Sequence, residues 1–168
     1  MRISVSASAA PGLPPRYTGA SVRRVEDPRL VSGRGRYLDD VRLHGLLHAA
    51  FVRSLHAHAR LLRVDSTAAL ATRGVAAALT AHDLAGSDLA LSPRLEAPGF
   101  VPTSWPALAS SRVRFVGEPV AVVAASDPYA AADGCEAVVV EYEPLPALSD
   151  IDGALAPGAP LLHDAVPG

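Results

Sequence analysis

Residues 113–146 read VRFVGEPVAVVAASDPYAAADGCEAVVVEYEPLP, and the fold turns on how they divide. The valine-rich run 113–125 has the β-branched composition of a strand, with a hairpin-like interruption at Gly117-Glu118-Pro119. Asp127-Pro128 then signals a helix start. Aspartate is placed to cap the first free N–H groups, and proline suits the first helical position, where its missing N–H costs nothing. The helix is expected to reach about Glu136, with Gly134 weakening its interior by about 0.5–1 kcal/mol relative to alanine. A second strand follows over 137–146, ended by Pro144 and Pro146. This unit, two strands joined by one crossover helix, points to a compact α+β or α/β sandwich.

Working outward, 46–54 (LLHAAFVRS) and 59–65 (ARLLRVD) read as strands. A short helix is expected over 66–71 with Ser66 as N-cap, closed by Gly74, followed by a strand over 74–80 and a helical turn over 81–86. Residues 87–112, with prolines at 93, 98, 102 and 106 and the sole tryptophan, Trp105, form a long loop. A last short helix is expected over 149–155, after which the chain runs on without a closing element. Residues 1–18, with three prolines and no apolar period, read as a disordered tail; residues 19–44 read as an extended arm with one turn near Arg29-Leu30-Val31; residues 45–168 hold the folded domain.

At 168 residues the chain is about one domain, and 49% apolar content supplies a core without staples. Aromatics are only 5%, so that core is expected to consist of Ala, Val and Leu. One cysteine, Cys135, excludes an internal disulfide and any cysteine-cluster metal site. No run is long and apolar enough for a membrane span, and the N-terminal residues lack the pattern of a signal peptide, so a cytoplasmic location is expected.

The net charge of −2 hides an asymmetry. All 15 basic residues are arginines and the last is Arg114; the 54 residues beyond it hold nine acids and no base. Either the two halves fold against each other or they face different partners. The absence of lysine favours fixed, bidentate contacts with protein groups over the mixed Lys/Arg character of nucleic-acid arms. The most basic segment is GASVRRVEDPRLVSGRGRYLDD, 19–40. Its Gly33-Arg34-Gly35 lacks the third glycine, the flanking strand and helix, and the Lys-Ser/Thr of a phosphate loop. No aromatic residues alternate with its arginines to stack bases. Nucleic acid is therefore not expected as a partner.

Catalytic chemistry is equally sparse. His56 and His58 alternate onto one side of an extended segment, two ligands where a zinc site needs three. Cys135 has no histidine near it in sequence, no serine sits in a nucleophile elbow, and Glu141 with Glu143 reads as a solvated strand face. No catalytic, cofactor-binding or metal-binding residue is assigned.

The segments GASVRRVEDPRLVSGRGRYLDDVRLHGLLHAAFVRS, HAHARLLRVD and VRFVGEPVAVVAASDPYAAADGCEAVVVEYEPLPAL, in that order, resemble the opening of the large, molybdenum-cofactor-binding subunit of the xanthine dehydrogenase and aldehyde oxidase family, in the style of its carbon monoxide dehydrogenase-like members. Leu55 stands where that family usually has proline, and Gly134 interrupts a helix that is usually Ala- and Glu-rich. The resemblance implies an α/β-hammerhead of α+β class, with a mixed sheet, short helices and an extended N-terminal arm. It also implies a role as a structural and assembly module, without the cofactor-binding domains, in a hydroxylase or dehydrogenase. In that complex molybdopterin cytosine dinucleotide carries molybdenum, and the partners are the cofactor-binding large-subunit domains together with iron–sulfur and FAD subunits. On this reading Arg23, Arg24, Arg29, Arg34, Arg36, Asp39 and Asp40 form a docking interface. A free-standing anion- or nucleic-acid-binding module and a non-functional remnant are the alternatives.

Overall fold

A computed structural model describes residues 21–95 and 97–163. The tail expected over 1–18 lies outside the described residues. The chain divides into two compact units, one ending at Leu43 and the other starting at His44.

The first unit is built from local contacts. Helix α1 spans Asp27–Val31, with Pro28 in its first turn. The chain turns through Gly33 at φ +70° and makes a single 3₁₀ turn at Leu38–Asp40. There the Asp40 carboxylate accepts from the Tyr37 N–H at 2.9 Å. None of the described residues of this unit is buried.

The second unit contains strands β1 (His48–Arg53), β2 (Ala59–Asp65), β3 (Val75–Thr80), β4 (Ala90–Leu91), β5 (Trp105–Pro106), β6 (Arg112–Val113), β7 (Pro119–Ala125) and β8 (Val139–Pro144). Helices α2 (Thr67–Ala71), α3 (Pro128–Glu136) and α4 (Ile151–Leu155) are interleaved. One sheet has the order β1-β7-β3, a second β6-β2-β8, and β4 pairs with β5 in a small ribbon. All pairings among the described residues are antiparallel, so the α+β hammerhead class holds while the sheets are not mixed.

β7 is central to its sheet because both of its faces are apolar. Val120, Ala121, Val123 and Ala125 are fully buried. The Gly117-Glu118-Pro119 interruption is not a hairpin: β6 pairs with β2 in the second sheet and β7 with β1 and β3 in the first. At Gly117, φ is +90°, a conformation that strains any residue with a Cβ, and its N–H donates to the Ser54 carbonyl at 2.8 Å. The chain thus changes sheet within five residues. Helix α3 likewise connects β7 of one sheet to β8 of the other. It packs on β1 and β7.

The Asp127 side chain accepts from the N–H groups of Tyr129 and Ala130, as the sequence predicts. At α2 the cap differs. Ser66 makes no side-chain capping bond; Asp65 accepts from the Thr67 N–H at 2.9 Å instead. Residues 81–86 form turns rather than a helical turn.

The core is made of small side chains. Ala69, Ala78, Ala121, Val123 and Val138 form one cluster, and Ala59, Ala109, Val113 and Val120 another. Half-buried Val64 and Val140, from the second sheet, touch both. Among the described residues Leu108 is the one fully buried leucine, while Trp105 stays 59% exposed.

Candidate docking interface

Part of the charge asymmetry of the sequence is met by ion pairs within the second unit. Cross-strand pairing sets Arg60 opposite Glu143 and Arg63 opposite Glu141 on β2 and β8. Arg60 reaches Glu143 at 2.5 Å, and Arg63 meets Asp65 at 2.6 Å and Glu141 at 3.7 Å. The Glu141/Glu143 face is therefore an ion ladder, and the basic and acidic halves meet across one strand pair. These pairs are half exposed and each contributes only about 0.2–1 kcal/mol.

A more buried arrangement lies where β6 gives way to β7. The Glu118 carboxylate, 5% exposed, accepts from the Arg114 N–H and sits 3.7 Å from the Arg114 guanidinium. The same guanidinium donates to the Leu162 carbonyl at 2.9 Å, and Arg112 donates to the Leu161 carbonyl at 3.2 Å. Two arginines thus hold residues 161–162, within a described stretch, 156–163, that has no helix or strand.

Beside this cluster the 87–112 loop folds back through β4 and β5. It forms a groove with two lobes, of about 450 and 370 Å³, that share Trp105, Pro106, Phe115 and Glu118. The long loop and its tryptophan were visible in the sequence. The Arg114–Glu118 pair was not, since an i,i+4 pair reads as a helix contact and here it spans a loop.

The histidines do not form a joint site. His56 stacks at a tilt on Tyr142, centroids 4.8 Å apart. His58 is buried, with Nδ1 2.7 Å from the Pro146 carbonyl, so Nδ1 carries the proton; its Nε2 has no partner among the described residues. Burial pushes the Cys135 thiol up from its ordinary pKa, partly offset by a hydrogen bond with the Val123 backbone. Burial likewise raises the Tyr142 phenol, opposed by a bond with Ser54. Among the described residues, no three His, Cys, Asp or Glu side chains converge to hold a metal, and no helix is long and apolar enough to cross a membrane.

In the arm, the sequence-predicted docking residues separate into two groups. Arg24 pairs with Asp27 at 2.8 Å, Arg29 with Glu26 at 2.5 Å, and Arg34 donates to the Ser32 hydroxyl at 3.0 Å. Asp40 closes the 3₁₀ turn. Arg23, Arg36 and the Asp39 carboxylate have no side-chain partner among the described residues, and all seven residues but Asp40, Arg24, Arg29 and Arg34 are in this sense open to an outside group.

Residues 32–146 match the model of the aldehyde oxidase and xanthine dehydrogenase a/b hammerhead domain. The chain belongs to that family. It is 47% identical over 148 residues to the carbon monoxide dehydrogenase large chain of Afipia carboxidovorans, covering 88% of this chain and 18% of that one. It is 41% identical over 132 residues to the nicotine 6-hydroxylase large subunit of Paenarthrobacter nicotinovorans, covering 79% and 16%. The quinoline 2-oxidoreductase structure from Pseudomonas putida superposes with a TM-score of 0.83 at 43% identity, over 89% of this chain and 19% of that one. This hammerhead domain therefore spans under a fifth of the length of these relatives.

Proposed function

We propose that this hammerhead domain serves as a structural and assembly module of a molybdenum-dependent hydroxylase or dehydrogenase. The observation that carries the proposal is the match of residues 32–146 to the hammerhead domain, within relatives of which the chain covers under a fifth. In that complex the remaining large-subunit domains hold the cofactor, as molybdopterin cytosine dinucleotide, and iron–sulfur and FAD subunits accept the electrons. When bound, the cofactor supplies the oxidation chemistry; the residues of this chain supply a rigid scaffold and a docking arm. Arg23, Arg36 and Asp39 are the charged groups available for pairing with the partner, and Arg24, Arg29, Arg34 and Asp40 shape the arm that presents them. Local neutralisation of Arg24 and Arg29 also lowers the charge on offer to a nucleic-acid backbone, which argues against the nucleic-acid alternative.

The test is affinity capture of the chain from its native lysate with molybdenum assayed in the eluate by mass spectrometry. The expected result is molybdenum together with a larger chain. Recovery of the domain with neither would overturn the proposal.

A further inference from the structure

The arm is locally well ordered yet has no core. Ion pairs, a capped 3₁₀ turn and the close approach of Gly35 to Leu30 organise it, and a Cβ on Gly35 would come within 2.9 Å of Leu30 Cδ2. Its large apolar side chains nevertheless face water: Val25 is 95% exposed, Val31 85% and Leu38 87%, with Val22, Tyr37 and Leu43 each more than half exposed. A segment that spends Arg24, Arg29 and Arg34 on internal bonds and leaves Val25, Val31 and Leu38 bare is arranged for apolar contact with something outside it.

The matches bear on what that something is. The hammerhead model begins at residue 32, so α1 and Val25 lie outside it. A continuous 148-residue match within a 168-residue chain necessarily contains 21–43, so the arm is shared with the much longer Afipia carboxidovorans large chain. The arm accompanies the large chain rather than the hammerhead fold.

We infer that the arm docks through Val25, Val31 and Leu38 onto an apolar surface of the remaining, cofactor-binding part of the large subunit, with its arginine pairs serving to shape it. This rests on the assembly reading above. It makes the apolar side chains, rather than the charges, the determinants of docking.

The arm's own arginines make it a trypsin substrate, which gives a direct readout. This chain would replace the matching segment of the Afipia carboxidovorans large chain, and cleavage after Arg34 and Arg36 would be timed in the chimera and in the 168-residue chain alone. Docking is expected to slow cleavage about tenfold or more, as burial of a few apolar side chains would. The V25D/V31D/L38D variant is expected to lose that protection, while R24A/R29A keeps most of it. Unchanged melting of the triple variant as an isolated chain shows that the loss is not unfolding. A chimera that folds and retains molybdenum without protecting the arm overturns the inference and leaves the assembly reading standing. So does protection that survives the triple substitution. A chimera that neither folds nor retains molybdenum overturns the assembly reading, and the inference falls with it.

Discussion

Gly134 of α3 lies against Val123 of β7 so closely that a Cβ on the glycine would stand 2.8 Å from Val123 Cγ1, and equally 2.8 Å from Val75 Cγ2 of β3. The glycine that looked like a defect in the helix is what lets α3 sit down on its sheet. G134A gains about 0.5–1 kcal/mol of helix propensity but forces atoms into a filled core, at about 1–3 kcal/mol. The second effect is the larger because Val123 is fully buried and cannot swing away. Urea denaturation of G134A is therefore expected to show a lower midpoint at unchanged slope; a higher midpoint would show that the helix can lift.

The Arg114–Glu118 pair is expected to matter more than any surface ion pair. E118A leaves the Arg114 N–H without its acceptor in a half-buried position and is expected to cost about 1–3 kcal/mol. R114A removes the donor to the Leu162 carbonyl. Hydrogen exchange followed by mass spectrometry should then show faster exchange around 161–163 than in the wild type, with β1 and β7 amides little changed.

The β2–β8 ladder should behave differently. A double-mutant cycle on Arg60 and Glu143, both about half exposed, is expected to give a coupling of about 0.2–1 kcal/mol that shrinks in high salt. A coupling that ignores salt would mean the pair is shielded by something other than its own side chains.

Acid should loosen the helix caps. The Ala130 N–H, then the Ser126 hydroxyl and Tyr129 N–H, hold the Asp127 carboxyl below its ordinary pKa, and Thr67 and Thr80 do the same for Asp65 and Asp83. A carboxyl with a depressed native pKa contributes stability that is fully present above its unfolded value, about 3.9, and is lost as the pH falls through the native value. Thermal melting should be nearly flat at neutral pH on this account and fall below about pH 4. D127N, which keeps an acceptor at the cap but does not titrate, should fall less steeply.

Cys135 should be a slow thiol. Burial raises its pKa, so the thiolate that reacts is scarce at neutral pH. Maleimide labelling of the native chain is expected to lag well behind that of the urea-unfolded chain at pH 7, and equal rates would contradict the half-buried placement.

Much of this structure is legible in the residues themselves. The valine run of β7, the Asp127-Pro128 start of α3 and the proline stop of β8 lie within a residue or two of their expected places. The α2 cap does not: Asp65, the last residue of β2, takes the role expected of Ser66. Either residue could supply an acceptor, and only the path of β2 into the helix decides which one is aimed at the Thr67 N–H.

What the sequence determined by itself was the identity of the longer elements and the alanine and valine part of a core expected to hold leucine as well, because backbone preference, capping and apolar period act over a few neighbouring residues. It also carried the family resemblance. The tertiary structure decided the partners. β7 lies between β1 and β3, Arg60 meets Glu143 across 83 residues, and Val113 and Pro119 part company into different sheets. Such choices depend on which surfaces can be buried together by segments far apart in the chain, and that balance belongs to the whole fold rather than to any local stretch of it.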